Sequence, residues 1–129
     1  GGGVNPLSQH TSADKSEWMN ACSAGGSFEY PYGPDYQADI CNGEDFGENA
    51  ALPVTEPAGC IGGLPGVRNM SGNVYEGTHE CDLGPPEADL CRRRCGSYFS
   101  EPTLLRCAMG SSRPRDHVDD YTGIRCCYD

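Results

Sequence analysis

The sequence has no long hydrophobic run and few basic residues. No segment approaches the roughly 18 apolar residues of a membrane-spanning helix, so no membrane span is expected. The 9 Lys and Arg residues are outnumbered by 19 Asp and Glu residues, which gives a net charge of -10 at pH 7. A chain of this charge repels nucleic-acid phosphates and anionic membrane surfaces. The composition therefore argues against a nucleic acid as partner.

Several common motifs are also missing. The three histidines, His10, His79 and His117, show no metal-ligand spacing. No serine lies in a G-x-S-x-G elbow, which argues against a serine hydrolase. The nine cysteines form no paired C-x-x-C knuckles, so disulfides in an oxidising compartment are favoured over zinc. We expect a secreted or extracellular protein, with the periplasm or a cell surface as alternatives.

The start of the chain, GGGVNPLSQ, lacks the charged and apolar regions of a signal peptide, so we expect a mature, processed or trimmed chain. At 129 residues, the size prior predicts one domain over residues 1–129 with a single modest core. The 18 glycines and 10 prolines predict much turn and irregular loop. The sequence shows no internal repeat.

A few short elements are predicted from local patterns. Asp14 followed by Glu17 is a capping-box arrangement, which predicts a helix that runs to about Cys22 and ends at Gly25 and Gly26. The runs SYF (97–99), LLRCAM (104–109) and GIRCCY (123–128) have the composition of short buried strands. The basic run at 92–94 is read as a solvated or carboxylate-paired loop.

Seven segments, taken in order, resemble the C-terminal part of the formylglycine-generating enzyme (sulfatase-modifying factor) domain family. They are SEWMNACSAGG, YPYG, ADICNG, GVRNMSGNVYEG, RRRCGSYF, LLRCAM and GIRCC, and they span about residues 14 to 128. The MSGNVYEG block is close to that family's M-x-G-N-V-W-E-W signature. The resemblance implies an α+β, C-type-lectin-like fold that is mostly irregular, with few short strands and helices and with bound calcium.

The sequence departs from this family in two ways. Catalytic members carry two copper-binding cysteines after an R-G-G-S segment, but this chain has Ser100 near the first position and no room for the second. A hydroxyl cannot replace a soft thiolate for copper(I), so copper is not expected. The chain also has only about a dozen residues before the EWMNAC helix, where the family has a comparable stretch. Either a separate chain completes the fold, or the fold is reduced and the cysteines compensate.

The resemblance implies calcium at the MSGNVYEG turn. Its ligands would be the side chains of Asn73 and Glu76 and the carbonyls of Ser71 and Val74, with Gly72 allowing a close turn. In the alternative, Asn73 and Glu76 only hydrogen-bond the loop.

A second calcium site is carried over from the family more weakly. It would use the side chain of Asp39 and the carbonyl of Ile40, with Asp45 from the acidic loop as a further ligand.

Family pairing suggests a disulfide between Cys22 and Cys107. Short separations make Cys41–Cys60 and Cys81–Cys91 plausible local pairs, although spacing alone does not fix connectivity. The other three cysteines are Cys95, which stands where the family has glycine, Cys126, whose family partner lies in the part that is lacking here, and Cys127. A bridge from Cys95 to Cys126 or Cys127 would be a local repair, and it would leave one odd thiol that could join another chain.

Three functions are open at this point. The first is a secreted, non-catalytic, calcium-binding recognition or structural module. The second is a formylglycine-generating-type oxidase whose copper cysteines have moved, for instance to Cys95 and the odd cysteine. The third is a subunit of an extracellular assembly, because the lacking portion would leave strand edges and one face of the Trp18 helix uncovered. A protein partner or a second copy is expected, and carbohydrate is a candidate ligand.

Overall fold

The computed structural model describes residues 6–82, 84–85 and 88–126. These residues form a small α+β fold with one α-helix, α1 (Glu17–Ser23), and short 3-10 helices at Leu7–Gln9, Glu44–Phe46 and Pro102–Leu105. The strands are β1 (Tyr75–Asp82), β2 (Leu90–Arg94), β3 (Gly110–Pro114) and β4 (Thr122–Ile124). Long loops connect these elements, as the glycine and proline content predicts. No helix in the described part of the chain has the length and apolar character that a bilayer crossing requires.

The four strands form one mixed sheet in the order β3-β2-β1-β4. β2 is antiparallel to both β1 and β3, whereas β1 and β4 are parallel. The pairing of β1 with β2 is irregular between Gly77 and Cys81. The short strands β3 and β4 are the two edges of the sheet, and each has one side without a strand partner among the described residues.

The helix is present, but its N-cap is Ser16 and not Asp14. The Ser16 side chain accepts a hydrogen bond from the N–H of Met19 at 3.1 Å, and this satisfies a donor that a helix start leaves free. Residues 12 to 16 form a turn before the helix, because the N–H of Ser16 donates to the carbonyl of Ser12 at 2.9 Å. The helix ends at Ala24, which has a left-handed φ of 50°, just before the predicted glycines.

The predictions of strands at 97–99, 104–109 and 123–128 are mostly wrong. Residues 97–99 form a turn, closed by a hydrogen bond of 3.0 Å from the N–H of Ser100 to the carbonyl of Ser97. Leu104 and Leu105 lie in a 3-10 helix that begins at Pro102, because proline fits the first helical position but donates no hydrogen bond to a sheet. The last run contributes only the end of β4, where Ile124 is 85% exposed. Positions 127 and 128 lie outside the described residues.

The core lies where α1 packs against the 70–77 turn and the cysteines. Its buried residues are Trp18, Met19, Cys22, Met70, Cys95 and Cys107. Trp18 is only 9% exposed, so the expectation that its helix face is uncovered is wrong for this residue. Its indole N–H donates to Glu76, and the guanidinium of Arg94 lies 4.8 Å from its ring centroid. Polar partners on β1 and β2 therefore cover the helix.

Candidate functional site

The segment 70–77 consists of a tight turn at 70–74 and the first three residues of β1. Gly72 has a φ of 69°, in the left-handed region that glycine adopts without strain. A Cβ atom at Gly72 would clash with the carbonyl of Asn42. The N–H of Asn73 donates to that same carbonyl at 2.7 Å. The turn therefore packs closely against the loop that contains Asn42, and a side chain at position 72 would separate them.

The side chain of Asn73 is engaged by the surrounding loops. Its Oδ1 accepts hydrogen bonds from the N–H of Leu52 at 2.7 Å and from Nδ2 of Asn42 at 3.0 Å. Its Nδ2 donates to the carbonyl of Leu52 at 3.1 Å. An amide oxygen accepts about two hydrogen bonds, so Oδ1 is fully used. In this arrangement Asn73 does not fit a calcium ion, and it has the loop-bonding role given above as the alternative.

The carboxylate of Glu76 is held by a cation from the chain itself. Arg125 donates from Nε to Oε2 at 2.8 Å and from Nη2 to Oε1 at 2.5 Å, a two-bond geometry that suits a guanidinium. The indole N–H of Trp18 also donates to Oε2, at 2.8 Å. Nη2 of Arg125 reaches the carbonyls of Arg68 at 2.7 Å and Asn69 at 3.1 Å. Glu76 and two carbonyls thus already surround a positive group.

Asn69, the residue just before this turn, has an unused oxygen. Its Nδ2 donates to the carbonyls of Val54 and Glu56, both at 2.9 Å, but its buried Oδ1 has no hydrogen-bond partner among the described residues. A buried acceptor without a donor is unfavourable and points to a water or a cation as its partner. The sequence prediction missed Asn69, and the motif that contains it gave no way to distinguish it from Asn73.

The second predicted calcium site is not assembled by the described contacts. Asp39 is exposed, Ile40 is half-buried, and Asp45 accepts a hydrogen bond from the Tyr36 hydroxyl at 3.1 Å. Burial and this carboxylate raise the pKa of Tyr36, so its hydroxyl stays a donor. No hydrogen bond or ion pair among the described residues connects Asp39 with Asp45.

One cluster of His, Cys, Asp and Glu side chains in the described part has the spacing to hold a metal. It consists of Cys81, Asp89 and Cys91. The two sulfurs in it form one disulfide and cannot bind as thiolates. This cluster is therefore not a metal centre.

Six cysteines form three disulfides, and the pairs are Cys22–Cys107, Cys41–Cys60 and Cys81–Cys91. Each of these pairs was suggested above. Cys95 and Cys126 are free, so the suggested bridge between them is wrong. Cys127 lies outside the described residues. The structure explains why Cys95 does not reach Cys126: its Sγ lies in the core and donates to the carbonyl of Arg106 at 2.9 Å.

By the resemblance, the family's copper-binding cysteines would fall in the segment that follows β2. Ser100 is 2% exposed, and its Oγ accepts a hydrogen bond from the N–H of Ser97 at 2.9 Å. Cys95 is also 2% exposed, and burial raises the pKa of its thiol. Its φ of 53° lies in the left-handed region, which suits the glycine of the resembled family better than cysteine. Both side chains face the interior here.

A buried ion pair lies beside α1. Arg94 is fully buried, and its Nε lies 3.2 Å from Oε2 of Glu80, whose side chain is 4% exposed. Nη2 of Arg94 donates to the hydroxyl of Ser16 at 3.1 Å, and that hydroxyl in turn donates to Glu80. Arg93 and Arg94 of the basic run are thus carboxylate-paired, as one reading predicted, whereas Arg92 has no ion pair among the described residues. The run lies on β2 and not in a loop.

An open groove of about 910 Å³ runs along α1 and the sheet. Its lining includes Trp18 and Met70 from the core, the free Cys126, and a group of basic residues. We call it the cationic groove, and its basic residues are Lys15, Arg92, Arg93, Arg113, Arg115 and Arg125. The sequence did not predict this groove, because its basic residues come from two strands and from loops far apart in the chain.

Irregular loops around a small mixed sheet, held by disulfides and a packed turn before β1, are features of a C-type-lectin-like domain. A family model, the sulfatase-modifying factor enzyme 1-like domain, matches residues 11–129. The chain therefore belongs to this family of formylglycine-generating-enzyme-like domains, whose fold is C-type-lectin-like. No curated protein matches the chain. The family assignment confirms the resemblance that the MSGNVYEG block and its neighbours indicated.

Proposed function

We propose that this chain is a secreted, non-catalytic member of its family that serves as a calcium-binding recognition or structural module. The observation that carries the proposal is the state of Cys95. This thiol is buried, donates to a backbone carbonyl and has a raised pKa. Copper(I) binds the thiolate form of cysteine, which burial disfavours. Cys95 is therefore suited to packing in the core and not to copper chemistry.

Ser100 supports the same proposal. It stands near the first copper-ligand position of the catalytic members, and its hydroxyl closes the turn at Ser97. A serine hydroxyl stays protonated at neutral pH and is a hard ligand, so it does not supply the soft anionic sulfur that copper(I) prefers. The role of this position is then structural.

The alternative is an oxidase with relocated copper cysteines, and one observation favours it. Cys95 and Cys126 are both free, and Cys126 is exposed in the lining of the cationic groove. A count of free thiols alone therefore does not separate the two functions. The accessibility of the two thiols separates the functions, because an oxidase would need both sulfurs at one site. Cys95 lies in the core.

The calcium part of the proposal rests on the oxygens around Glu76. Two carbonyls and this carboxylate already bind the guanidinium of Arg125, and the unused Oδ1 belongs to Asn69, the residue that supplies one of those carbonyls. Hard oxygen ligands of these kinds are those that calcium prefers. We therefore place the ion at Asn69 and Glu76, and move the amide ligand from Asn73 to Asn69. Calcium at this position competes with Arg125 for the carboxylate.

An assembly role is the third part of the proposal. The edge strands β3 and β4 each have an open side in the described sheet, and Val118 and Ile124 are 87% and 85% exposed. Open strand edges beside exposed apolar side chains favour contact with another chain. The fitting partner is a second copy of this chain or another protein with an exposed strand edge.

Labelling of thiols in the folded protein tests the proposal. Cys126 should react with iodoacetamide within minutes at pH 8, whereas Cys95 should react only after unfolding, because its sulfur is buried and protonated. Peptide mass spectrometry of the protein labelled before and after denaturation separates the two sites. The variant Cys126→Ser serves as the control for signal at that site. Rapid labelling of Cys95 in the folded chain would favour the oxidase.

A further inference from the structure

The cationic groove concentrates the positive charge of an acidic chain. Six of the 9 Lys and Arg residues line it, although the net charge is -10. A volume of about 910 Å³ is within the range of sites that hold small ligands. Among the described residues, most basic side chains therefore lie around one groove that is large enough for a small ligand.

Three of these basic residues are already neutralised. Arg93 pairs with Asp119 at 2.8 Å, Arg115 pairs with Asp89 at 2.6 Å, and Arg125 pairs with Glu76 at 2.5 Å. These ion pairs fix the walls of the groove. They leave the attraction of an incoming anion to other residues.

Arg92 has unused binding capacity. Its side chain is half-buried in the groove, and its Nε has no hydrogen-bond acceptor among the described residues. Nη2 of Arg92 contacts Nε2 of His10 at 2.9 Å. Burial and the neighbouring arginines lower the pKa of His10, so a neutral imidazole accepts this bond and adds no counter-charge. A buried guanidinium N–H without an acceptor is costly until an acceptor arrives.

Arg92 and Arg94 are two guanidiniums that lie near a single carboxylate, that of Glu80. Arg94 lies close enough to repel Arg92 electrostatically, and the carboxylate of Glu80 interacts with both guanidiniums. Nη1 of Arg94 also lacks an acceptor among the described residues. The half-buried guanidinium of Arg92 and the buried one of Arg94 thus share one carboxylate, and each has a buried N–H left without an acceptor.

Arg113 provides a further positive charge at the rim. It lies on β3, opposite Cys91 of β2, and it is exposed. Its Nη1 donates to the carbonyl of Ser112 at 3.0 Å, and no ion pair to Arg113 is found in the described part. An approaching anion would therefore meet a guanidinium that no described carboxylate neutralises.

We infer that the cationic groove binds a ligand that carries an oxyanion group, sulfate or carboxylate, with Arg92 as the contact residue and Arg113 at the rim. A guanidinium can donate two hydrogen bonds to two oxygens of either group at once. The inference rests on the proposed recognition function and specifies its ligand class. The group is carried either by a free ion or by an acidic sugar. The experiment distinguishes these, because a sugar also contacts the groove wall near Trp18.

Tryptophan fluorescence is a direct probe, since Trp18 is the single tryptophan of the chain and lines the groove. The full chain is titrated with sodium sulfate that replaces sodium chloride at constant ionic strength, and separately with a sulfated disaccharide and its unsulfated parent. We expect a saturable change with sulfate. If the sulfated disaccharide binds more tightly than both sulfate and the unsulfated parent, the oxyanion is carried by a sugar. If sulfate and the sulfated disaccharide bind equally well, the ligand is the free ion.

Two variants with the same loss of charge test the site. Arg92→Gln should weaken sulfate binding at least tenfold, and Arg113→Gln, at an exposed position, should weaken it about threefold without a change in folding. Arg106→Gln is the matched control, because the Arg106 side chain is 42% exposed, pairs with Glu29 and does not line the groove. The dissociation constant of this control variant for sulfate should lie within twofold of that of the unchanged chain.

Absence of a saturable change in the unchanged chain, or equal weakening in Arg106→Gln and the groove variants, would overturn the inference. The thiol labelling of Cys95 does not depend on sulfate binding. A negative titration would therefore reject the anion site without rejecting the proposed non-catalytic function. Conversely, fast labelling of Cys95 would remove the proposed function even if sulfate binds. Circular dichroism of each variant confirms that it is folded before titration.

Discussion

Replacing Cys22 and Cys107 together by alanine should lower the free energy of unfolding by about 4.5 kcal/mol. The disulfide links residues 85 positions apart, and both cysteines are fully buried in the core. Because a crosslink restricts the unfolded chain, the loss of stability on its removal grows with the length of the closed loop. A small domain has a total stability of about 5–15 kcal/mol, so this change removes a large share of it. Urea unfolding followed by circular dichroism measures the effect.

The disulfide Cys81–Cys91 is the matched control, because it links residues only 10 positions apart. Replacing that pair by alanine should cost about 2.7 kcal/mol by the same loop-length relation. The difference of about 2 kcal/mol between the two double variants is the prediction. An equal loss for both pairs would contradict the role given to the long loop.

Calcium at a hundredfold excess over its dissociation constant should add about 2.7 kcal/mol to the free energy of unfolding. This follows if the ion binds only the folded turn, where the Asn69 Oδ1 is unused and Glu76 supplies a carboxylate. A chelator should remove the increment. Thermal unfolding in calcium and in chelator, at equal ionic strength, measures it.

Variants locate the ion within the turn. Glu76→Gln and Asn69→Ala should each abolish the calcium increment, whereas Glu48→Gln, in the exposed acidic loop, should leave it unchanged. Arg125→Gln should increase the affinity for calcium, because it removes the cation that competes for Glu76. The same melting temperature in calcium and in chelator would contradict the site.

Most of the fold class could be predicted from the sequence, but the strands could not. The helix was found because the capping-box pair Asp14 and Glu17 marks its start and a glycine pair follows it, although the cap in the structure is Ser16. β1 and β2 were missed because Glu76, Glu80 and Arg94 are charged, and charge on a strand predicts exposure. In the structure these side chains are buried through ion pairs and hydrogen bonds with partners distant in sequence. A local pattern does not contain that information.

The site was predicted only in outline for the same reason. The MSGNVYEG block indicated a tight turn with Gly72 at its centre, and the structure has that turn. Which asparagine keeps a free oxygen depends on Leu52 and Asn42, which take up the oxygen of Asn73. The partner of Glu76 is Arg125, 49 residues away. The cationic groove depends in the same way on how the strands are ordered in the sheet.

The most direct test of the central claim, that this family member is non-catalytic, is a turnover assay. The full chain is loaded with copper(I) and incubated with a sulfatase-type cysteine peptide under oxygen, and the peptide is analysed by mass spectrometry. The account predicts no formylglycine above a control without protein, because Cys95 is buried and Ser100 replaces a thiolate. Formylglycine that forms with the unchanged chain, and is lost in Cys95→Ala, would contradict it.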